Sequence, residues 1–310
     1  MNFTLKILGT ASALPISDRY PSAQVLDVRG RLFLIDCGEG VQVRMRQTST
    51  SYLGVEAIFI SHLHGDHLFG IFGLLSTMAL MGRTGKLDIF APRAFRPVLE
   101  FFLSRFGEGF NYEIVHHPLS MTAPETVLEL RNVTASAFPL NHKIDCFGFL
   151  FREKEPELNV RKSKIEEFGL GIAEIASAKR GEDIVRGDMT IPNAELTYVP
   201  YVPRSYAYCS DTAPFPELAQ WVRGVDLLYH EATYPDEMAS KAAARFHSTA
   251  RDAARCAQEA GVGRLLIGHY SSKYPDLSVF LSQAREVFPD TDLAQDRAVI
   301  EIPLQRHTKL

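Results

Sequence analysis

The chain has 310 residues, of which 46% are hydrophobic and 23% are charged, and its formal net charge is −4 at pH 7. This composition is typical of a globular protein with a sizeable core. The negative net charge excludes a broadly basic nucleic-acid binder, so any such binding must come from local positive patches.

The lack of a recognisable signal peptide or membrane-spanning run, together with the spacing of the cysteines, predicts a cytoplasmic protein without membrane association. No run approaches the about 18 apolar residues that span a bilayer, and the N-terminus resembles an alternating strand, not a signal peptide. The four cysteines are widely spaced and form no CxxC pair, namely Cys37, Cys146, Cys209 and Cys256. We therefore expect free thiols in a reducing compartment.

Hydrophobic patterning predicts a strand-rich first half and an alternating second half. Strands are expected at residues 3–8, 23–28, 31–36, 55–60, 87–90, 126–130, 133–137, 147–151, 206–209, 226–230, 264–267 and 298–302. Helices are expected at residues 41–47, 68–81, 92–106, 216–221, 248–260 and 277–288, with a polar connection at 116–118. This order predicts an α/β protein in which two sheets pack face to face under outer helices.

Residues from about 152 to 192 differ from the rest of the chain. They contain eight Lys or Arg and nine Asp or Glu, few aromatic residues and several glycines. We interpret them as a charged arm, with short helices at 163–168 and 172–178, inserted into a single domain of residues 1–310. A solvated surface insertion without a binding role is the equally weighted alternative.

The segment 61–70, Ser-His-Leu-His-Gly-Asp-His-Leu-Phe-Gly, follows a predicted buried strand. Alternation along an extended chain places His62 and His64 on one side, where both imidazoles can reach one ion. The turn at Gly65 can aim Asp66 and His67 at a second position. A polar loop that opens a helix is the alternative, but crowded histidines are costly unless something binds them.

Three further metal-type residues, His142, Asp211 and His269, also follow predicted strands. Loops at one rim of a sheet sandwich bring such residues together. Added to the first four, they make seven candidate ligands, which suit two zinc ions sharing one carboxylate. Taken singly, each of the three is more simply explained as a cap or a surface residue.

The His62–His67 run, with the three later residues at these intervals, resembles the metallo-β-lactamase superfamily. Within it, the chain is similar to the ribonuclease Z family of tRNA 3′-processing endonucleases. The supporting motifs are Leu8-Gly9-Thr10, Asp36-Cys37-Gly38-Glu39-Gly40, His230-Glu231-Ala232-Thr233, Phe246-His247-Ser248-Thr249 and Gly268-His269-Tyr270-Ser271-Ser272-Lys273-Tyr274. The resemblance implies a four-layer αββα sandwich with a protruding arm.

The resemblance also implies a role for each site residue. One zinc is expected on His62, His64 and His142, and the other on Asp66, His67 and His269, with Asp211 bridging. Asp66 is expected to accept a proton from the attacking water as well. His247, oriented by Glu231, is expected to protonate the leaving ribose 3′ oxygen. Manganese or iron could replace zinc.

The implied substrate is precursor tRNA, cut to leave a 3′-hydroxyl, and the family is typically homodimeric. Positive residues expected to contact RNA are Arg161, Lys162, Lys179, Arg180 and Lys273. Asp36 and Glu39 are expected to brace the metal loops, and His230 to be a buried histidine that binds no metal. We expect His116, His117 and His307 at the surface.

Two stretches depart from the family pattern. The arm reads Phe168-Gly169-Leu170-Gly171-Ile172-Ala173, without the Gly-Pro step of many bacterial members, although Lys179-Arg180-Gly181-Glu182 matches. The loop 15–20 keeps only Pro15 and Arg19 of the pattern that the family links to discrimination against a mature CCA end. Both departures bear on the substrate and leave the metal chemistry unaffected.

Two other functions fit parts of this sequence. A dinuclear-zinc hydrolase of small phosphodiesters or sulfate esters keeps the fold and the metals but changes the substrate. A non-catalytic zinc and RNA-binding protein is disfavoured because a structural zinc site is normally closed by four ligands.

Overall fold

The computed structural model describes residues 2–306, so His307 lies outside the described residues. The strands in chain order are β1 (Phe3–Gly9), β2 (Ala11–Ser12), β3 (Ala23–Val28), β4 (Arg31–Cys37), β5 (Val55–Phe59), β6 (Leu87–Pro92), β7 (Ile114–Leu119), β8 (Glu125–Glu129), β9 (Val133–Pro139), β10 (Phe147–Glu153), β11 (Asn159–Val160), β12 (Ile184–Arg186), β13 (Met189–Ile191), β14 (Thr197–Tyr198), β15 (Ser205–Cys209), β16 (Leu227–Glu231), β17 (Leu265–Gly268), β18 (Tyr270–Ser271), β19 (Thr291–Leu293) and β20 (Val299–Glu301).

The helices are distributed along the whole described chain. They are α1 (Val41–Gln47), α2 (Gly65–Leu68), α3 (Ile71–Leu80), α4 (Phe95–Phe106), α5 (Lys162–Phe168), α6 (Ile172–Lys179), α7 (Asn193–Leu196), α8 (Glu217–Trp221), α9 (Ala239–Arg245), α10 (Ala250–Ala260) and α11 (Ser278–Arg285). A 3₁₀ turn at Asp236–Met238 precedes α9. Among the described residues, no helix has both the length and the apolar character needed to cross a membrane.

Two seven-stranded sheets form the centre of the molecule, in the orders β20-β1-β3-β4-β5-β6-β7 and β19-β17-β16-β15-β10-β9-β8. Aromatic side chains of both sheets fill the space between them: the rings of Phe33 and Phe151 lie 5.5 Å apart, and those of Phe59 and Phe149 lie 5.2 Å apart. Helices α1, α3 and α4 cover the outside of the first sheet, and α8, α10 and α11 cover the second. The predicted αββα arrangement is confirmed.

The strand directions define two rims of this sandwich. β4 to β7 run parallel to one another in the first sheet, and β9 runs in the same direction as β15, β16 and β17 in the second. The carboxyl ends of β5, β9, β15 and β17 lead directly into the segments that carry the seven candidate ligands. β10 runs the other way, so the segment that follows it leaves from the opposite rim.

That segment forms a small substructure between β10 and β15. Its ends meet in the antiparallel pair β11–β14, where Asn159 lies opposite Tyr198. The hairpin β12–β13 and helices α5 to α7 enclose a separate hydrophobic cluster. The buried members of this cluster are Leu170, Ala178, Ile184, Ile191 and Leu196.

Local signals account for the elements whose ends were well predicted. Helix α10 begins at Thr249, whose hydroxyl accepts a hydrogen bond from the backbone N–H of Asp252, and it ends at Gly261 with φ of +62°. The β3–β4 turn uses Arg29 and Gly30, both with positive φ, as a tight two-residue hairpin requires.

Two predictions need correction. The helix expected at 68–81 is present as α3 but begins at Ile71, and residues 65–68 form the separate short helix α2. Gly70 lies between them against the β4–α1 loop: its backbone N–H donates to the carbonyl of Cys37 at 2.8 Å, and a Cβ there would lie 2.2 Å from the carbonyl oxygen of Gly38. Residues 116–118, expected in a polar connection, lie in β7, and both histidines are half-buried. β7 is an edge strand, where a proline is tolerated and the hydrophobic pattern is weak.

Candidate active site

The seven candidate ligands meet at the rim formed by the carboxyl ends of the strands. Their ligand atoms form two groups, each with all atoms within 4.8 Å of one another: His62, His64, His142 and Asp211, and Asp66, His67 and His269. Segments more than 200 residues apart in the sequence therefore contribute to one centre, as the contact between His67 and His269 shows.

The first group has a defined set of ligand atoms. Nε2 of His62 lies 3.0 Å from Nδ1 of His64, and Nε2 of His142 lies 3.4 Å from the same Nδ1. Oδ2 of Asp211 lies 3.6 Å from His62 and 3.9 Å from His142. His64 therefore presents Nδ1, whereas the other two histidines present Nε2.

The second group faces the other oxygen of the same aspartate. Oδ1 of Asp211 lies 3.4 Å from Nε2 of His67 and 3.2 Å from Nε2 of His269. Oδ2 of Asp66 lies 3.6 Å from each of these two nitrogens. Asp211 thus directs one oxygen to each group, which is the arrangement of a bridging carboxylate.

Hydrogen bonds on the far side of the imidazoles show that the centre fits cations. His67 donates from Nδ1 to Asp36 at 2.7 Å, and His269 donates from Nδ1 to the Thr233 hydroxyl at 2.8 Å. Their Nε2 atoms then face each other across 3.1 Å, and Oδ1 of Asp211 is buried without a hydrogen-bond partner. Bound cations would satisfy all three atoms, and imidazole with carboxylate suits zinc.

The charges around the centre support the same conclusion. Burial opposes ionisation of His67, but the carboxylates of Asp211, Asp66 and Asp36 raise the pKa of His67 to about 10. Burial disfavours the charged form of Asp66, whereas His67, His269 and the Ala13 N–H lower its pKa well below the usual range. Burial, reinforced by the neighbouring histidines, lowers the pKa of His62. Negative charge therefore concentrates between the two ligand groups.

Asp36 braces the metal loops. Its carboxylate accepts hydrogen bonds from the backbone N–H and hydroxyl of Ser61, from the Tyr208 hydroxyl and from His67, at 2.6–2.9 Å. Its φ of +54° places it in the left-handed region, which non-glycine residues rarely adopt. The residue joins β4, β5 and β15 to a candidate ligand.

Beside the centre, the buried Glu231 pairs with His247, which is partly buried. His247 donates from Nδ1 to Glu231 at 2.9 Å, and its ring lies 5.4 Å from that of His142 and 5.7 Å from that of His269. Although burial favours neutral forms, the mutual attraction raises the pKa of His247 to about 9 and lowers that of Glu231 to about 2. The Glu231 carboxylate therefore favours the protonated form of His247, and Nε2 is the ring nitrogen left outside this pair.

Glu231 is held in place by three further residues. It accepts hydrogen bonds from the backbone N–H groups of Thr212, Thr233 and Ser248 and from the Thr233 hydroxyl, at 2.7–3.1 Å. The neighbouring His230 is buried, donates from Nδ1 to the Glu231 carbonyl and lies outside both ligand groups. The two residues alternate in direction along β16, so only Glu231 faces the centre.

The predicted RNA-contacting residues occupy two separate places. Lys273 is exposed in the turn after β18, at the same rim as the ligands, whereas the others lie in the segment on the opposite rim. Arg180 forms an ion pair with Glu182 at 2.9 Å, and Arg161 stacks over Tyr198 at 5.6 Å. Lys162 and Lys179 are exposed.

Two contributors were missed from the sequence. Thr233 belongs to a motif that we quoted, yet its contact with His269 requires the fold, because the two residues follow different strands, β16 and β17. The backbone N–H of Ala13 donates to Asp66 at 2.7 Å. No residue type reveals a main-chain donor, so this second contribution left no signal in the sequence.

Known proteins resemble the chain in sequence over nearly its full length. The model of a β-lactamase superfamily domain matches residues 183–270, and the model of anti-Pycsar protein Apyc1 matches residues 3–151. A ribonuclease Z of Bacteroides fragilis is 41% identical over 97% of this chain and 99% of its own. One of Parabacteroides distasonis is 42% identical over 95% and 97%.

Solved structures agree with these sequence relatives. The short form of human tRNase Z is 26% identical, covers 97% of this chain and 99% of its own, and has a TM-score of 0.72. YhfI of Bacillus subtilis, at 16% identity and a TM-score of 0.69 over 97% of this chain and 100% of its own, shares the metallo-β-lactamase fold. The resemblance identified from the motifs is confirmed, and the chain belongs to the ribonuclease Z family of enzymes.

Proposed function

We propose that the chain is a zinc-dependent endoribonuclease that removes the 3′ trailer of precursor tRNA and leaves a 3′-hydroxyl on the tRNA. The observation that carries the proposal is the pair of ligand groups joined by Asp211, bordered by the His247–Glu231 pair. The family relatives, named ribonuclease Z, and the human tRNase Z support the substrate class.

The proposed roles follow from the contacts of each side chain. His62, His64 and His142 would hold one ion and Asp66, His67 and His269 the other, and Asp211 would supply one oxygen to each. Bound ions supply Lewis acidity and lower the pKa of the attacking water. Asp66 would receive the proton of that water, since its carboxylate belongs to the second group and Oδ2 lies 3.6 Å from Nε2 of His67.

His247 provides the second proton transfer. Its Nδ1 is engaged with Glu231, so Nε2 is the nitrogen that donates to the departing ribose 3′ oxygen. Glu231 stabilises the protonated imidazole and fixes its orientation. The product then carries a 3′-hydroxyl, and the phosphate remains on the trailer.

We further propose that residues of about 152–192 form a tRNA-binding arm on one catalytic domain of residues 1–310. The arm begins at the end of β10, roughly 20 Å of strand away from the ligand rim at about 3.3 Å per residue. A folded RNA can span that distance, whereas a small phosphodiester cannot. Replacing Lys179 and Arg180 by alanine should weaken tRNA binding, and unchanged affinity would remove these two residues from the RNA-binding surface.

In a homodimer, which we also propose, the arm of one subunit can serve the metal centre of the partner subunit. An apolar groove of about 530 Å³ between α3 and α4 supports such an interface. Phe101 and Phe106 line it, and the exposed fraction of each is 61%. Light scattering should show a dimer that Phe101→Glu dissociates; a monomeric wild type would reject the homodimer.

The deciding experiment compares three substrates, each with and without a chelator. They are a precursor tRNA, a CCA-bearing tRNA and a chromogenic phosphodiester. The proposal expects chelator-sensitive cleavage of the precursor, restored by Zn²⁺, with Mn²⁺ and Fe²⁺ tested in parallel for the identity of the metal. Cleavage of the chromogenic substrate alone would favour a small-phosphodiester hydrolase, and tRNA binding without any cleavage would favour a non-catalytic protein.

The free cysteines agree with action on tRNA in the cytoplasm. All four side chains are unpaired, and Cys37, Cys146 and Cys209 are buried. Burial raises the pKa of each of these three thiols, so they remain unreactive. Unpaired thiols are usual in a reducing compartment.

A further inference from the structure

The contact between Ala13 and Asp66 joins an exposed loop to the centre. The backbone N–H of Ala13 donates to Oδ2 of Asp66 at 2.7 Å. That oxygen is the one that lies 3.6 Å from Nε2 of both His67 and His269. A main-chain group therefore holds the carboxylate atom that faces the second ligand group.

The backbone of Ala13 is strained where it makes this contact. Its φ is +60°, in the left-handed region that non-glycine residues rarely adopt. The backbone N–H of Leu14 donates to the carbonyl of Ser12 at 2.7 Å and closes a three-residue turn around Ala13. Such strain persists only where the surrounding structure fixes it, commonly at functional sites.

The turn around Ala13 also has a fixed position relative to another candidate ligand, His269. β2 pairs in parallel with β18, with Ala11 opposite Tyr270 and Ser12 opposite Ser271. β18 begins directly after His269, and the backbone N–H of Tyr270 donates to the carbonyl of Thr10. One short strand pair thus fixes the Ala13 amide relative to His269.

The far end of the loop is anchored as well. Arg19 donates to the carbonyl of Tyr274 at 2.8 Å, and the backbone N–H of Tyr20 donates to Asp296 at 2.8 Å. Between the anchors, Leu14 is exposed by 64%. The exposed loop is therefore clamped at both ends around the donor to Asp66.

We propose that the Ala13 backbone amide is a positioning group for Asp66, which sets the carboxylate for the second metal ion. The inference rests on the proposed metal centre. It adds to that centre a main-chain donor held by a strained turn, so that the loop 12–20 contributes to metal affinity without a ligand of its own.

The amide can be tested by replacing it with an ester. Lactic acid at position 13 removes the N–H and keeps the methyl side chain. The matched control is the corresponding ester at Ile16, which loses a hydrogen bond to the Arg19 carbonyl in the same loop but touches no ligand. The readout is the Zn²⁺ affinity of each metal-free protein, measured by competition with a chromophoric chelator.

We expect the position-13 ester to bind one of two Zn²⁺ ions roughly 10- to 100-fold more weakly, as loss of a partner of a metal ligand usually does. The Ile16 ester should retain both affinities. Equal affinities in the two esters would overturn the inference. A wild type that binds fewer than two ions would instead reject the proposed centre, so the two failures are distinguishable.

If the position-13 ester does not fold, side-chain variants of Ala13 test the same proposal. Ala13→Gly keeps the N–H and removes the strain, so both Zn²⁺ affinities should remain. Ala13→Val keeps the N–H but strongly disfavours φ of +60°, which displaces the donor. The valine variant should lose affinity for one ion, and two intact affinities would contradict the positioning role.

Discussion

The orientation of the candidate ligands depends on the ring nitrogen that faces away from the centre. His67 is fixed by a carboxylate, Asp36, whereas His269 is fixed by a hydroxyl, Thr233. A carboxylate partner raises the basicity of an imidazole more than a neutral hydroxyl does. The two histidines of the second group are therefore oriented by different partners, although both present Nε2.

Thr233 links the candidate ligand His269 to the proposed proton donor through Glu231. Its hydroxyl donates to Glu231 at 2.7 Å and accepts from His269 at 2.8 Å. Thr233→Val keeps the shape of the side chain but removes both hydrogen bonds. We therefore expect precursor cleavage or Zn²⁺ affinity to fall roughly 10- to 100-fold. Thr233→Ser should restore most of it, and a fully active valine variant would show that the hydroxyl is dispensable.

His247 allows the proton donor to be separated from the metal ligands. His247→Ala should reduce precursor cleavage by roughly 10²- to 10⁴-fold, the usual contribution of a general acid. Its Zn²⁺ content, measured by atomic emission, should equal that of the wild type, because His247 already bonds to Glu231. Normal turnover would exclude the proton-donor role, and loss of zinc would make His247 a ligand.

At the scale of the element, the candidate ligands lie in the loops that follow the carboxyl ends of the strands. The convergence of the seven candidate ligands could be predicted from the sequence because each segment that carries them follows an apolar run, and the cap of α10 because Thr249 and Gly261 are local signals. The break between α2 and α3 could not, since it depends on how close Gly70 comes to Gly38 in the folded chain. The local sequence pattern therefore predicts which elements form, whereas contacts between distant parts of the chain determine where an element is interrupted.

The base of the arm depends on a buried ion pair between β10 and β15. Glu153 accepts four hydrogen bonds from Arg29 and Arg204 at 2.8–3.0 Å. Glu153→Gln leaves the buried Arg204 without its countercharge, so the free energy of unfolding should fall by about 3–5 kcal/mol. Urea unfolding at neutral pH measures this change.

The same pair predicts a dependence on pH. Burial opposes ionisation of Glu153, but the two arginines lower its pKa below the usual value. A lowered carboxyl pKa contributes stability that is present at neutral pH and is lost as the pH falls through the folded-state pKa. The difference between wild type and Glu153→Gln should therefore shrink in acid, and a difference independent of pH would contradict this assignment.

At the scale of the whole molecule, the proposed function assigns chemistry to one rim and substrate binding to the other. The ligand rim carries both candidate metal groups and the His247–Glu231 pair, and the opposite rim carries the arm. The arm has a hydrophobic cluster of its own, so it is held as a unit and not by the sandwich core. Catalysis and tRNA binding should therefore be separable by removing the arm.

The arm can be removed between β11 and β14, because these two antiparallel strands lie side by side at its base. Val160 lies opposite Thr197, so replacing residues 161–196 by Asn-Gly closes the two strands with a two-residue hairpin turn. The shortened enzyme should hydrolyse a chromogenic phosphodiester at the wild-type rate, provided that the wild type accepts this substrate. Its KM for precursor tRNA should rise at least tenfold, on the order of 1.4 kcal/mol of lost binding.

Thermal unfolding of the shortened chain serves as the control for folding, because the core between the sheets lies outside the removed segment. Zinc content provides a second control, since no ligand lies between residues 161 and 196. A shortened, zinc-loaded enzyme with the wild-type KM for precursor tRNA would show that the ligand rim alone selects the substrate. The loops that carry Ala13 and Lys273 would then be the surfaces to test for tRNA binding, because both border the centre.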